Sequence, residues 1–164
     1  MKLNLGCGDD RRIGFTNIDR AEHDLNKKLP YEKNSVDYIL ASHILEHLND
    51  PIKALKDWRR VTIHTGLIDI YVPHFSHFTS IADLEHKHSF SYFSFGHKWT
   101  NKELNGMFKV KTRLNFNRIN HKWMNYIFNP IINLMPTFYE RFLCYIMPCS
   151  EIHYQLTVNK YGRV

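Results

Sequence analysis

Read from its amino terminus, the chain sets short apolar runs between polar turns. Leu3 to Leu5 runs into Gly6-Cys7-Gly8, and Thr16 to Ile18 ends at Asp19, so each reads as a short strand closed by a turn. Asp24-Leu25 is read as a third short strand. Val36 to Ala41 (VDYILA) is almost continuously apolar, the pattern of a strand covered on both faces, which places it centrally in a sheet. Asp50-Pro51 opens a helix, with aspartate as its cap and proline at the first helical position. Ile52, Ala54, Leu55, Trp58 and Val61 form the apolar stripe of that helix. Gly66 ends the connection, and Leu67 to Val72 (LIDIYV) is the next strand, closed by Pro73. A helix between two apolar strands is a βαβ unit, and such crossovers imply parallel pairing.

Beyond this unit the pattern changes. Thr100 to Glu103 matches a capping box for a short helix that Gly106 terminates. Val110, Thr112, Leu114 and Phe116 alternate with polar neighbours, as do Ile152, Tyr154, Leu156 and Val158, so these two strands are expected to pair near one sheet edge. Between them Trp123 to Met147 is aromatic-rich and helical in pattern, interrupted by Pro130 and Pro136. It is too polar to span a bilayer and is read as a helical cap at about residues 118–148. Contact with a membrane surface or a partner through residues 123–147 stays open. No repeat, low-complexity tract or linker divides the chain, so residues 1–164 read as one domain.

Composition narrows the class. With 43% hydrophobic and 23% charged residues, the chain has enough apolar content for a packed core. A net charge of +6 would draw any anionic partner, but the basic residues are scattered (Lys27-Lys28, Arg59-Arg60, Lys109, Lys111, Arg113), which disfavours a nucleic-acid groove. The start, MKLNLGCG, lacks a secretory signal pattern, so a cytoplasmic location is expected. Cys7, Cys144 and Cys149 show no paired spacing and read as free thiols. Nothing sets the oligomeric state.

The glycine turn carries the chemistry. Glycine after a strand lets the backbone turn sharply and approach a ligand, which suits a nucleotide-type site. A dinucleotide fingerprint would need glycine where Arg11 stands, and Asp9 and Asp10 would repel a pyrophosphate. The same carboxylates favour the cationic sulfonium and ammonium groups of S-adenosylmethionine. At the tip of the second strand, Asp19 is placed to accept ribose hydroxyls.

LNLGCG, NIDR, HDLNKKLPY, SVDYILASHILEHL and LIDIYVPH together resemble, in order, the motifs of class I S-adenosylmethionine-dependent methyltransferases over about residues 2–95. The resemblance implies an α/β fold with a Rossmann-like open, mostly parallel sheet of seven strands and an antiparallel C-terminal strand. It implies that Gly6, Cys7 and Gly8 face the methionine part of the cofactor and that Asp19 holds the ribose. Asp24 and Leu25 would lie beside the adenine, with Ser42 and His43 approaching the methionine and sulfonium from the other side. Two departures stand out. Only seven residues separate Gly8 from Thr16, so the first helix is shortened or missing. The usual Pro-Gly-Gly turn before the fifth strand is replaced by Ile63-His64-Thr65-Gly66.

A competing motif is His43-Ile44-Leu45-Glu46-His47, which matches the H-x-x-E-H pattern of inverted zinc peptidases. Asn49, Asp50 and Pro51 cut its platform short, so a zinc hydrolase through His43, Glu46 and His47 is the lesser alternative. His74, His77, His86 and His88 follow the fifth strand, where open sheets bind ligands, and are expected around the acceptor. A metal set of His77, His86 and His88 is weighed, but no metal is expected. The reading is methyl transfer from S-adenosylmethionine to a small acceptor, a hydroxyl of a sugar, lipid or metabolite. His74 and then His77 are the candidate general bases. A noncatalytic protein that binds the cofactor or a partner is the other alternative.

Overall fold

A computed structural model of the chain describes residues 1–97, 99–119 and 121–162. Its centre is a sheet of β1 (Lys2–Leu5), β2 (Thr16–Ile18), β3 (Val36–Ser42), β4 (Thr62–Pro73), β5 (Phe108–Asn115) and β6 (Glu151–Val158). The strand order is β2-β1-β3-β4-β6-β5. β1 to β4 run parallel, and β6 is antiparallel to both neighbours. The mostly parallel α/β sheet with an antiparallel C-terminal strand is therefore as expected. Leu3, Leu5, Ile39, Ala41, Ile68, Ile70, Ile152 and Leu156 pack its core, all fully buried.

Helix α1 (Pro51–Val61) begins as its sequence dictates, with the Asp50 carboxylate accepting the Lys53 amide at 2.9 Å. Ala54, Leu55, Trp58 and Val61 face the sheet. Burying Trp58 alone contributes roughly 2–3 kcal/mol. The helix passes straight into β4, which starts at Thr62 rather than near Leu67. Extra residues are taken up by a register shift between Val36 and Tyr38 on β3 and by Thr65 at φ +63°. Gly66 is required because a Cβ there would lie 2.9 Å from the Asp37 carbonyl oxygen.

Two stretches depart from expectation. Asp24-Leu25 forms no strand, so the described residues give six strands, not the seven implied by family resemblance. The Asp24 carboxylate accepts the Asn26 amide at 3.0 Å, closing a local turn that competes with strand pairing. The chain from there is held by α1, where Asp57 accepts the Leu29 amide at 2.7 Å and Arg60 donates to the Leu29 and Tyr31 carbonyls. Thr100 to Glu103 is not a capping box either. The Thr100 hydroxyl donates to the Phe93 carbonyl, and Asn101, at φ +42°, precedes a single 3₁₀ turn at Lys102–Leu104.

The first crossover is cut short as the spacing from Gly8 to Thr16 implied. Residues 6–15 join β1 to β2 without a helix. Polar side chains do the holding. Buried Asn4 donates to the Asp10 carbonyl at 2.7 Å and to Asn17 Oδ1 at 2.9 Å. Asn17 Oδ1 also takes the Arg12 amide, and its Nδ2 donates back to the Arg12 carbonyl. Each such bond between buried or half-buried groups contributes about 1 kcal/mol, and leaving one unmade would cost more.

The span 118–148, read from sequence as a helical cap, lies against the sheet edge at β5, residue 120 falling outside the described residues. Helix α3 (Met124–Leu134) and a turn continuing from Pro136 into π-helical Tyr139–Leu143 make it up; α2 is the short helix Thr79–Ala82 before it. Asn125, Asn129 and Asn133, one helical turn apart, bond the backbone of β5 and the residues after it. Asn133 accepts the Leu114 amide and donates to its carbonyl, both at 2.8 Å, and Asn129 and Asn125 accept the Phe116 and Asn117 amides at 2.8 Å. The stripe satisfies an edge strand that would otherwise present open backbone groups. No helix among the described residues is long and apolar enough to cross a membrane. Asn133→Ala is expected to lower stability by roughly 1–3 kcal/mol, read as a drop in the urea midpoint; an unchanged midpoint would show that the stripe is not holding the edge.

Candidate functional site

The carboxyl ends of β1, β2 and β3 meet at one edge of the sheet, where open α/β sheets bind ligands. Gly6 and Gly8 have φ of +65° and +46°, a left-handed backbone that glycine adopts without a Cβ penalty. The turn is tied to β2 because the Gly6 and Cys7 amides both donate to the Ile18 carbonyl, at 2.7 and 3.3 Å. It is also pressed against the loop after β3. A Cβ on Gly6 would stand 2.6 Å from Ile44 Cβ, whereas one on Gly8 meets nothing within 4 Å. Beyond β2, the Asp19 amide donates to Glu22 at 2.9 Å, and Glu22 pairs with Arg11.

These elements enclose a cleft of about 930 Å³. Of the residues expected to hold a cofactor, Gly6, Gly8, Asp19, Asp24, Leu25 and His43 border it. Cys7 is buried and turned away, and Ser42 ends β3 paired with Tyr71, so neither is part of the wall. The Asn26 amide and side chain hold the Asp24 carboxyl below its usual pKa, so it stays charged at neutral pH. Several wall residues were not among those expected to hold the cofactor. Arg20 and His23 sit past β2, Ile44 and His47 past β3, and Glu85 and Lys87 come from the loop after β4. His23 Nε2 is buried with no partner in the protein, a donor or acceptor left for a ligand.

A second cleft of about 890 Å³ adjoins the first and shares His43, His47 and Leu84 with it. His77, Phe78, His86, Arg118 and Ser150 also line it. His43 stands at the junction with φ +53°. Its Nε2 lies 2.8 Å from Glu151 Oε1 and its Nδ1 3.2 Å from Glu46 Oε1. Burial opposes charge on His43, but the flanking carboxylates outweigh burial and hold its pKa above the ordinary histidine value. Glu151 is moved the other way. Burial alone would raise it, but His43, Asn115 and Arg118 bring it below its usual value.

The structure separates the two candidate bases. His74 is fully buried and borders neither cleft. Its ring joins Ser76 Oγ at 2.8 Å and Glu140 Oε1 at 3.1 Å, tying the end of β4 to the cap. Burial would raise the Glu140 pKa, yet bonds from His74, Ser91 and the Tyr92 amide hold it below its usual value. His77 does line the second cleft, with Nδ1 2.7 Å from Thr79 Oγ1. Burial and the nearby His74 keep its pKa below the ordinary histidine value. Metal-ligand geometry also falls elsewhere than expected. Leu45–His47 is a single 3₁₀ turn, so the H-x-x-E-H segment lacks the helix that would set His43 and His47 on one face. The atoms brought together belong to Glu46, His47 and His86, not to His77, His86 and His88.

Residues 9–70 match the family model of the methyltransferase domain. No curated protein matches the chain in sequence. Among solved structures, an S-adenosylmethionine-dependent methyltransferase from Archaeoglobus fulgidus matches with a TM-score of 0.59 at 16% identity, over 95% of this chain and 85% of its own. Phosphoethanolamine N-methyltransferase 2 of Haemonchus contortus, solved with S-adenosyl-L-methionine, gives 0.62 at 10% identity over 97% of this chain and 48% of its own. A Haloferax volcanii complex of a methyltransferase with its activator gives 0.59 at 11% identity over 96% and 81%. At these identities the structures show the shared fold. The match to the methyltransferase-domain model begins just after the glycine turn and takes in β2, β3 and α1.

The glycine turn makes a sharp comparison. Gly6→Ala is expected to cost about 2 kcal/mol or more, because its Cβ meets Ile44 as well as an unfavourable φ. Gly8→Ala should cost only about 1 kcal/mol, since φ alone opposes it. Denaturant melts of both variants compare them directly; equal costs would remove the close approach as the constraint.

Proposed function

We propose that the first cleft seats S-adenosylmethionine and that the second seats a small acceptor methylated on a hydroxyl group of a sugar, lipid or metabolite. The observation that carries this is the shared wall. His43, His47 and Leu84 line both clefts, so a cofactor and an acceptor bound side by side would be separated by no more than these three side chains. A volume of about 930 Å³ lies within the range of ligand pockets. The donor set also fits. Asp19 would accept the ribose hydroxyls, Asp24 and Leu25 would flank the adenine, and Gly6 and Gly8 would let the methionine portion come close to the backbone. The buried, unpartnered His23 Nε2 is a further contact. S-adenosylmethionine, when bound, supplies an electrophilic methyl group on a cationic sulfur.

The protein's part is to align and to move a proton. Holding the acceptor oxygen in line removes much of the entropic barrier. His77 is the base in this reading. In the tautomer that donates Nδ1–H to Thr79 Oγ1, its Nε2 is free to take the acceptor proton. Its lowered pKa keeps that nitrogen unprotonated at neutral pH. Arg118 and Ser150, on the opposite wall, would position polar groups of the acceptor. We place the reaction in the cytoplasm, in keeping with three cysteines that are all free. The outer face of α3, where Tyr126, Ile131 and Leu134 are exposed, is the surface for any membrane or partner contact.

Asp19→Ala is expected to weaken S-adenosylmethionine binding by about 10-fold or more in calorimetric titration, with circular dichroism unchanged. His77→Ala should lower kcat by roughly 10²- to 10⁴-fold on a hydroxyl acceptor while cofactor affinity is kept. Because protonation disables a base, the wild-type rate should fall as pH drops below the His77 pKa. That midpoint should lie under the usual histidine range, with a plateau above it. Unaltered cofactor binding in Asp19→Ala, or an unchanged pH profile in His77→Ala, would refute the corresponding role.

A further inference from the structure

We propose that Glu46, His47 and His86 bind one divalent cation of the first transition row, and that this ion ligates an oxygen of the acceptor. One ligand atom from each side chain lies within 4.8 Å of the others, close enough for small rotamer changes to bring all three to bonds of roughly 2.1 Å around one ion. A second observation points the same way. Glu46 is fully buried, yet neither of its carboxyl oxygens has a hydrogen bond, and His47 Nδ1 and His86 Nδ1 are buried and unpartnered as well. His86 also brings its Nε2 to 4.0 Å from Glu46 Oε1, and a buried carboxylate with no hydrogen bond is strongly unfavourable unless a cation compensates it.

The neighbouring groups do not fill it. His43 Nδ1 lies 3.2 Å from Glu46 Oε1 but is not aligned to bond it, and its other nitrogen is engaged with Glu151. Asp83 Oδ2 lies 3.6 Å from His86 Nε2 and adds negative charge beside the cluster. Backbone contacts fix the two segments to each other. The Lys87 amide donates to the Glu46 carbonyl at 2.8 Å, and the Lys87 ammonium donates to Asn49 Oδ1 at 2.7 Å. The His47 and His86 rings meet edge to face with centroids 4.7 Å apart.

Donor chemistry selects the ion. Two imidazoles and one carboxylate suit zinc, manganese or iron, whereas magnesium and calcium prefer oxygen alone. Position selects the role. His47 and His86 line the acceptor cleft, and His47 also borders the cofactor cleft. An ion with an open coordination position there would hold and acidify an acceptor hydroxyl next to the transferred methyl group. This role rests on the methyltransferase reading; the metal site itself does not.

The test uses the whole chain, stripped with a chelator and titrated with Zn²⁺, Mn²⁺ and Mg²⁺ by calorimetry, with metal content checked by mass spectrometry. One Zn²⁺ or Mn²⁺ per chain is expected, with Mg²⁺ weaker by about 100-fold. Glu46→Gln and His86→Ala should each weaken binding by about 10-fold or more, while His64→Ala, at the opposite end of β4, should not. Because Glu46 is interior, both variants are melted first, and His86→Ala decides the matter if Glu46→Gln does not fold. Absence of stoichiometric binding, wild-type affinity in His86→Ala, or Mg²⁺ bound as tightly as Zn²⁺ would overturn the proposal. S-adenosylmethionine is titrated into the stripped protein separately, so failure of the metal site and failure of the cofactor site are read independently.

Discussion

The missing Cβ of Gly6 is the constraint on which the site depends. Its α-carbon presses against Ile44, so the turn after β1 and the segment after β3 come nearer than any side chain would permit. That contact brings the β1 turn and the β3 exit into one wall. His43, the residue before Ile44, takes a left-handed φ at this point and projects between the two clefts. A parallel sheet supplies the rest, because its strands all deliver their carboxyl ends to the same edge.

Around this edge, polar side chains stand in for absent secondary structure. A crossover between parallel strands ordinarily uses a helix. Here Asn4 and Asn17 pin residues 9–15 instead. Where the resemblance implied a third strand, Asp57 and Arg60 reach from α1 to hold the Leu29 and Tyr31 backbone. The edge of β5 is covered by asparagines of α3. Amide and carboxylate side chains can satisfy backbone groups wherever the chain passes, which lets a small domain give up whole elements without orphaning its backbone polar atoms. The same economy leaves the cleft walls to be completed by loops, notably residues 84–87.

Charge is distributed to match this construction. The carboxylates of Glu140 and Glu151 are each met by a histidine, with neutral donors added at Glu140 and with Asn115 and Arg118 added at Glu151, and both are held below their usual pKa. His74 serves that structural purpose. His77, on the adjoining turn, meets no carboxylate, its Nδ1 facing the Thr79 hydroxyl and amide, and it lines the open cleft. Histidines in one short stretch thus divide between holding the end of β4 to Glu140 and lining the second cleft, according to whether a carboxylate reaches them.

Much of this was readable from the residues themselves. The apolar run of β3, the Asp50-Pro51 helix start, the alternation of β5 and β6 and the glycine turn followed by Asp19 are local signals. Each acts through the conformation or burial of its own segment, so no other part of the chain is needed to see it. The roles of His74 and His77, the failure of Asp24-Leu25 to pair, and the inward turn of Cys7 are decided by partners far along the chain. Glu140, Asp57 and the β1–β2 connection set them, and one-dimensional order does not reveal which distant side chain arrives. The meeting of Glu46 and His47 with His86 belongs to the same kind, since the motif around His43 suggested a helical pair and the fold supplied a loop histidine instead. Sequence determined which segments become strands and helices because backbone preference and burial are local; tertiary structure alone decided which titratable groups share a pocket, because that depends on contacts between segments that the sheet brings together.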